Sequence, residues 1–139
     1  MIVLDTNVIS ALMRTEPEKP VVKWLDAQPA ASVWISAITV MEIRFGLQTM
    51  PKGRRQEVLL RAFELMLKSM IEGRIASFDA EAGLHAAELM AQRKRKGRPA
   101  EVRDTMIAGI VLAHRATLAT RNTQYFEDLS VTVINPWKI

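Results

Sequence analysis

Short apolar runs alternate with helix-like segments along the chain, and this alternation constrains its fold more than any other feature. The runs occupy residues 1–4, 33–36, 75–78, 117–120 and 131–134, and each has the length of one buried strand. Parallel strands need a crossover between them, which is usually a helix. The pattern therefore predicts an α/β domain with a short, mainly parallel central sheet flanked by helices.

Helical spacing of apolar residues predicts six segments, at 6–14, 21–27, 39–47, 51–73, 80–96 and from 104 onward. Thr39 and Glu42 fit the S/T-x-x-E capping box, which predicts a helix N-terminus at Thr39. In the fourth segment, the apolar residues Leu60, Leu65 and Leu67 lie off the main stripe, so we expect that helix to contact another chain. In the last segment the face of Ile107, Ile110 and Val111, with Ala108 and Gly109 beside it, suits close packing against a sheet.

Length and composition indicate one globular domain that spans residues 1–139, with 49% apolar and 24% charged residues. The chain has no cysteine, so any metal must take oxygen or histidine ligands. No signal peptide or membrane span is recognisable, and we expect a cytoplasmic protein without a membrane partner. A net charge of +4 and a pI near 9.8 mildly favour a polyanionic partner.

Four polar side chains are predicted at one edge of the sheet. Asp5 follows the first strand, Glu42 lies in the first turn of the helix after the second, and Asn122 lies just beyond the fourth. Asp104 opens the helix that precedes the fourth strand, and that helix starts at the same edge. Singly, each of the four is more simply explained as a cap, a turn residue or, for Asp104, a charge that complements a helix dipole. Together they lie where parallel sheets bind ligands, which favours a functional site.

Clustered carboxylates favour a cation. Two carboxylates about 5 Å apart repel each other by roughly 3 kcal/mol at an effective dielectric near 20. A divalent ion relieves that repulsion, and Mg²⁺ or Mn²⁺ suits a site of few carboxylates because it keeps several waters. Such an ion supports phosphodiester hydrolysis.

A basic run of five charges ends the fifth helical segment, comprising Arg93, Lys94, Arg95, Lys96 and Arg98. It is either a solvated helix end that complements the helix dipole or a contact for the RNA backbone. Arg121 either contacts phosphate or pairs with a nearby acid. Both histidines and all three tryptophans are expected to be structural.

The chain resembles PIN-domain proteins of the VapC and FitB type, which belong to bacterial toxin-antitoxin pairs. The resemblance is carried by MIVLDTNVIS at residues 1–10, SAITVMEIRFG at 36–46, Asp104, ATRNT at 119–123 and NPW at 135–137. It implies an Mg²⁺- or Mn²⁺-dependent endoribonuclease, a small DNA-binding antitoxin as partner, and a homodimer. By position, Asp5, Glu42 and Asp104 would be catalytic metal ligands.

The resemblance also implies that Thr6 or Asn7 supports Asp5, that Thr120 lies near the metal or phosphate, and that Asn122 belongs to the same supporting set. Many family members carry a fourth acid where this chain has Asn122, and an amide brings no charge to a second metal position. One alternative is therefore a PIN-like module that binds RNA or an antitoxin without cleaving. A haloacid-dehalogenase-like phosphatase is disfavoured because position 7 is Asn7, where that class needs an aspartate.

Overall fold

A computed structural model describes residues 1–99 and 101–139. Its strands are β1 (Ile2–Leu4), β2 (Val33–Ser36), β3 (Ile75–Ala76), β4 (Thr117–Ala119) and β5 (Val133–Ile134). They form one sheet in the order β3-β2-β1-β4-β5, with every neighbouring pair parallel. The predicted α/β architecture is confirmed. The strands β3 and β5 are shorter than predicted because each lies at a sheet edge, where only one neighbour supplies backbone partners.

The described residues form six α-helices: α1 (Thr6–Leu12), α2 (Lys19–Asp26), α3 (Ala37–Gln48), α4 (Arg54–Met66), α5 (Ala80–Arg95) and α6 (Val102–His114). The π-helical segment Leu67–Ile71 extends α4. Helix α2 begins before the predicted Val21 because Pro20 suits a first turn, where a missing N–H costs nothing. None of the helices in this described part of the chain is long and apolar enough to cross a membrane.

Helices α3 and α6 each begin two residues before the predicted position, and the predicted capping box is wrong. Helix α3 is capped by Ser36, whose hydroxyl accepts from the Thr39 N–H at 3.0 Å, so Thr39 and Glu42 lie inside the helix and form no capping box. Helix α6 is capped by Glu101, and Asp104 is its third residue. Neither Glu42 nor Asp104 therefore caps its helix. Both side chains lie at the carboxyl end of the sheet.

The core has two halves, one on each face of the sheet. Successive β1 residues point to opposite faces, so Val3 packs with α5 and α6 while Leu4 packs with the residues of α1 to α4. Helices α5 and α6 approach closely at Gly109, where a Cβ atom would lie 2.4 Å from the Ala82 carbonyl oxygen and 2.8 Å from the Ala86 Cβ. Gly109 therefore serves the packing of α6 on α5, while Ile107, Ile110 and Val111 beside it pack with the strand residues Val3 and Leu118, as predicted.

The set of exposed apolar side chains on helix α4 differs from the predicted one. Leu60 and Leu67 pack against the core beside Phe63, whereas Leu65 is 65% exposed and Val58 is 49% exposed. Only Leu65, of the three leucines predicted off the stripe, remains available to another chain.

Candidate active site

An open cavity of about 410 Å³ lies beyond the carboxyl ends of β1 and β4. All three predicted acids line it, and its remaining lining includes Thr6, Asn7, Asn122, Arg14, Arg121 and Trp137. This is the edge where ligands bind in parallel sheets, because loops and helix N-termini meet there. Side chains that lie far apart in the sequence thus share one concave surface.

Asp5 is the most buried of the acids, at 4% exposure. It caps α1, and its Oδ1 accepts from the Thr6 N–H at 2.8 Å. Its Oδ2 accepts from the Thr120 hydroxyl at 2.8 Å. Burial raises the pKa of Asp5, the two hydrogen bonds oppose that rise, and the charge of Glu42 adds to it. Ionised Asp5 is therefore held at an energetic cost that a cation can relieve.

Asn7 and Thr120 join the exits of β1 and β4. The Asn7 amide donates to the Thr120 hydroxyl oxygen at 3.3 Å and makes a longer contact of 3.4 Å with Asp5. Its carbonyl oxygen accepts from the Arg121 N–H at 3.2 Å, and Thr120 accepts from the Asn122 N–H at 3.0 Å. These contacts agree with a supporting role for Thr6, Asn7 and Thr120, while the Asn122 side chain only lines the cavity.

A relay of hydroxyl groups fixes Glu42. The Thr6 hydroxyl donates to Glu42 Oε1 at 2.8 Å, and it lies 3.0 Å from the Thr39 hydroxyl. Because a hydroxyl has one hydrogen and a carboxylate can only accept, Thr39 donates to Thr6. Ser36 donates to Thr39 at 3.3 Å. Glu42 Oε2 lies 3.6 Å from Nη1 of Arg103, so both carboxylate oxygens have partners.

Asp104 lies in the first turn of α6 and is half-buried. Its pKa is raised to about 6, first by burial and then by the charges of Asp5, Glu101 and Glu42, while Arg103 opposes the rise. The Asp104 carboxyl thus senses both other acids of the cavity through space. A raised pKa in a cleft is typical of a functional site, although structural networks produce it too.

The donor chemistry of the cavity fits a hydrated magnesium or manganese ion. All three acids offer hard oxygen ligands, and burial first, then the charges of neighbouring acids, raises the pKa of Asp5 and of Asp104. Within residues 1–99 and 101–139, however, no group of three His, Asp or Glu side chains is arranged to hold one ion. Waters would therefore have to complete the shell of an ion held here, and the assignment of Asp5, Glu42 and Asp104 as metal ligands stays a prediction.

The basic run divides into two groups. The Arg93 side chain is 1% exposed and binds both carboxylate oxygens of Asp128, at 2.8 and 2.9 Å. It cannot contact RNA, so the RNA-binding prediction is wrong for Arg93. Arg98 is partly buried and also pairs with Asp128, at 3.1 Å. Lys94, Arg95 and Lys96 are exposed at the end of α5 and stay candidates for RNA contact.

Arg121 lies on the rim of the cavity, with its guanidinium 5.0 Å from the centre of the Trp137 ring. The Trp137 indole N–H donates to Glu18, which also pairs with Arg14. Trp137 therefore packs, as expected, but it also forms one wall of the cavity. An exposed guanidinium on an aromatic platform is oriented for an anionic ligand at little entropic cost.

Sequence reasoning missed several residues of the site. Arg103 and Thr39 touch Glu42 or its partner, Glu101 caps the helix that carries Asp104, and Arg14 lines the cavity. The only sequence feature that points to Arg103 as a site residue is its positive charge next to Asp104. No local pattern marks Thr39 as a partner of Thr6, because the two are 33 residues apart.

A larger cavity of about 1020 Å³ adjoins the first one and shares Thr6, Ser10, Arg14 and Glu42 with it. It lies between α1, α3 and α4. Its lining combines the apolar side chains of Met13, Ile43, Leu47, Val58 and Leu59 with those of Arg14, Arg54, Arg55 and Arg103. The surface is thus both apolar and basic.

Comparison with known proteins yields one family. The model of the PIN domain matches residues 2–131. The chain is 44% identical to a VapC ribonuclease of Sinorhizobium fredii over 138 residues, which is 99% of each chain. It is 38% identical to toxin FitB of Neisseria gonorrhoeae over 137 residues, again 99% of each.

Solved structures agree with these relatives. FitAcB from Neisseria gonorrhoeae superposes with a TM-score of 0.90 and 37% identity, covering all of both chains. VapBC2 from Rickettsia felis, bound to a DNA fragment from its promoter, superposes with a TM-score of 0.83 and 25% identity over 97% of this chain and 98% of that one.

Proposed function

The chain belongs to the PIN-domain family, and on that premise we propose that it is the toxin of a type II toxin-antitoxin pair, an endoribonuclease that hydrolyses RNA phosphodiester bonds with Mg²⁺ or Mn²⁺. The observation that carries the proposal is that Asp5, Glu42 and Asp104 line one cavity at the carboxyl end of the sheet. The ribonuclease and toxin names of relatives at 44% and 38% identity support it.

Asp5, Glu42 and Asp104 would hold the metal ion. When bound, the ion would activate water and stabilise negative charge on the phosphate. Hydrogen bonds from Thr120 and Thr6 favour the ionised form of Asp5 and orient its carboxylate, and the Thr6 hydroxyl orients Glu42. Asn122 adds no charge, so this cavity is better suited to one tightly held ion than to two.

The RNA backbone would be bound by Arg121 on the cavity rim and by Lys94, Arg95 and Lys96 at the end of α5. Arg14, on the same rim as Arg121, gives the cavity a second guanidinium. Positive charge beside an anionic metal site favours binding of an RNA backbone. The arginines and lysines neutralise the phosphates on either side of the reacting one.

The antitoxin would be a small DNA-binding protein that occupies the larger cavity. An amphipathic segment with acidic side chains matches its apolar floor and its four arginines, and such a segment would reach Glu42 at the shared wall. The similar VapBC2 structure with promoter DNA supports a partner of this kind. We also propose a homodimer, for which Leu65 and Phe45, both 65% exposed, are candidate apolar contacts.

The test is RNA cleavage by the purified chain, free of any antitoxin. Cleavage should require Mg²⁺ or Mn²⁺, stop with EDTA, and fall by at least about a hundred-fold in Asp5→Asn. Asp26→Asn is the matched control, because it removes an exposed carboxylate of α2 that does not line the cavity. Cleavage that survives both EDTA and Asp5→Asn would overturn the proposed mechanism.

A second candidate function is a PIN-like module that binds RNA or an antitoxin without cleaving. Two observations favour it, the neutral Asn122 and the engagement of both Glu42 oxygens by Thr6 and Arg103. It predicts that the wild type binds RNA with salt-dependent affinity yet cleaves none in either metal. Cleavage abolished by Asp5→Asn would eliminate this candidate.

A further inference from the structure

We infer that Arg93 and Tyr125 are positioning residues that fix the first turn of α6, and with it Asp104 and Arg103, at the edge of the carboxylate cavity. The catalytic meaning of that position rests on the proposed function, whereas the position itself does not. Neither residue lines the cavity, so any effect on the site must act through the residues between them and Asp104.

Arg93 is the anchor. Its side chain is 1% exposed, and it binds Asp128 through Nε at 2.9 Å and Nη2 at 2.8 Å. Nη2 also donates to the Tyr125 carbonyl oxygen at 2.9 Å, and the guanidinium lies 4.7 Å from the centre of the Tyr125 ring. The Arg93 guanidinium holds the pKa of the Asp128 carboxyl below its ordinary value. Tyr125 is thus fixed at both its backbone and its ring.

Tyr125 passes this constraint to the start of α6. Its hydroxyl oxygen accepts from the Glu101 N–H at 2.7 Å. This hydrogen bond spans 24 residues and joins the turn after β4 to the N-cap of α6. An N-cap residue has an extended backbone, and its own N–H lies outside the helical hydrogen bonds, so an external acceptor determines where it lies.

Glu101 then sets the first turn. Its Oε2 accepts from the Asp104 N–H at 2.9 Å, and its carbonyl oxygen accepts from the Thr105 N–H at 3.0 Å. Its Oε1 accepts from Nε of Arg103 at 3.3 Å, and Arg103 reaches Glu42. Glu101 thereby orients Asp104, which is a predicted metal ligand. It also orients Arg103, the cation that pairs with Glu42.

Helix packing alone does not require this network. Helices α5 and α6 already contact each other closely at Gly109, in the middle of α6. A buried ion pair adds little stability over well-packed apolar side chains, but it does define geometry. What the network adds is the position of one helix terminus, which is the part of α6 that faces the cavity.

Amide hydrogen exchange of the metal-free protein, followed by NMR, tests the inference without RNA. Tyr125→Phe removes one hydroxyl and keeps the ring over Arg93. We expect the Asp104 and Thr105 amides to exchange about five-fold faster, as loss of one hydrogen bond implies. We also expect Mn²⁺ to bind more weakly by a similar factor. Ser69→Ala, which removes a hydroxyl bonded to Leu65 in another helix, should change neither measurement.

A second pair of variants separates positioning from folding. Glu101→Gln keeps an acceptor for the Asp104 N–H, so its exchange and Mn²⁺ affinity should stay near wild type, whereas Glu101→Ala should reproduce or exceed the effect of Tyr125→Phe. Unchanged exchange at Asp104 and Thr105 in Tyr125→Phe, or equal acceleration in all helices, would overturn the inference. A wild type that cleaves no RNA would overturn the proposed function alone, because exchange is measured without substrate.

Discussion

The Thr120 hydroxyl donates to Oδ2 of Asp5 at 2.8 Å, across 115 residues of sequence. The bond joins the ends of β4 and β1 at the centre of the sheet. It supplies one of the few donors available to a carboxylate that is only 4% exposed.

Replacing Thr120 tests how much this bond contributes. Thr120→Val keeps the shape of the side chain but leaves a buried carboxylate oxygen without its donor, so we expect a loss of about 1–3 kcal/mol in the free energy of unfolding. Thr120→Ser keeps the hydroxyl, so its free energy of unfolding should fall by less. Urea unfolding at pH 7.5 in EDTA measures both, and equal losses in the two variants would contradict the assigned role.

The raised pKa of Asp104 predicts that the free energy of unfolding depends on pH. Its folded pKa of about 6 lies above its ordinary value of 3.8, so the folded state favours the protonated carboxyl. The stability that this group contributes is present below pH 3.8 and is lost as the pH rises through about 6. Asp104→Asn should therefore stabilise the metal-free protein at pH 7.5, by about 1 kcal/mol after allowance for solvent screening of a half-exposed group.

Unfolding of wild type and Asp104→Asn in EDTA at pH 4 and pH 7.5 measures that difference. The two proteins should differ less at pH 4, where Asp104 is protonated in the fold. A difference that is larger at pH 4 would contradict the raised pKa of Asp104 in the folded state.

Gly109 and Gly83 form a matched pair within the α5 and α6 packing. An added Cβ at Gly109 would lie 2.4 Å from the Ala82 carbonyl oxygen, whereas nothing lies within 4 Å of one at Gly83. We expect Gly109→Ala to destabilise the fold by about 1–3 kcal/mol through overpacking. Gly83→Ala should instead stabilise it, by about 0.5–1 kcal/mol. Thermal unfolding of both variants checks the opposite signs.

Asn122→Asp restores a fourth carboxylate to the cavity. Added negative charge should tighten Mn²⁺ binding by about ten-fold and lower the stability of the metal-free protein, since it repels Asp5 and Asp104. Gln124→Glu brings the same charge two residues along, outside the cavity lining, and should do much less. Calorimetric titration with Mn²⁺ compares them, and equal effects of the two variants would exclude a local role for position 122.

The exposed end of α5 predicts salt-dependent RNA binding. Replacing Arg95 and Lys96 with glutamine in an Asp5→Asn background should flatten the dependence of affinity on salt by about two units of logarithmic slope. Replacing Arg54 and Arg55, in the larger cavity, tests whether that loss is specific to α5. If the slope is unchanged after the α5 substitutions, the run is only a solvated helix end.

The sequence predicted the sheet well because buried strands have a strong local signature of short β-branched runs between helices. Helix starts were harder to predict. Ser36 and Thr39 are both good caps, and only the position of β2 decides that Ser36 is used. Glu101 is a less usual N-cap, and its selection depends on Tyr125, 24 residues away.

The acids of the site could be grouped from the sequence because each follows or opens an element at one edge of a parallel sheet. Their neighbours could not be predicted. Arg93 looked like the other charges of its run, and only Asp128, 35 residues away, makes it a buried residue. The contact of Arg103 with Glu42 likewise depends on how α6 docks beside α3.

The central position of β1 gives the cavity a fixed order of assembly. Asp5 precedes Thr120 by 115 residues, so β4 must be synthesised before the strand that carries Asp5 has both neighbours. A nascent chain therefore carries Asp5 without this hydrogen-bond donor until that stretch has been made. If the cavity cleaves RNA, that activity can begin only after β4 has left the ribosome.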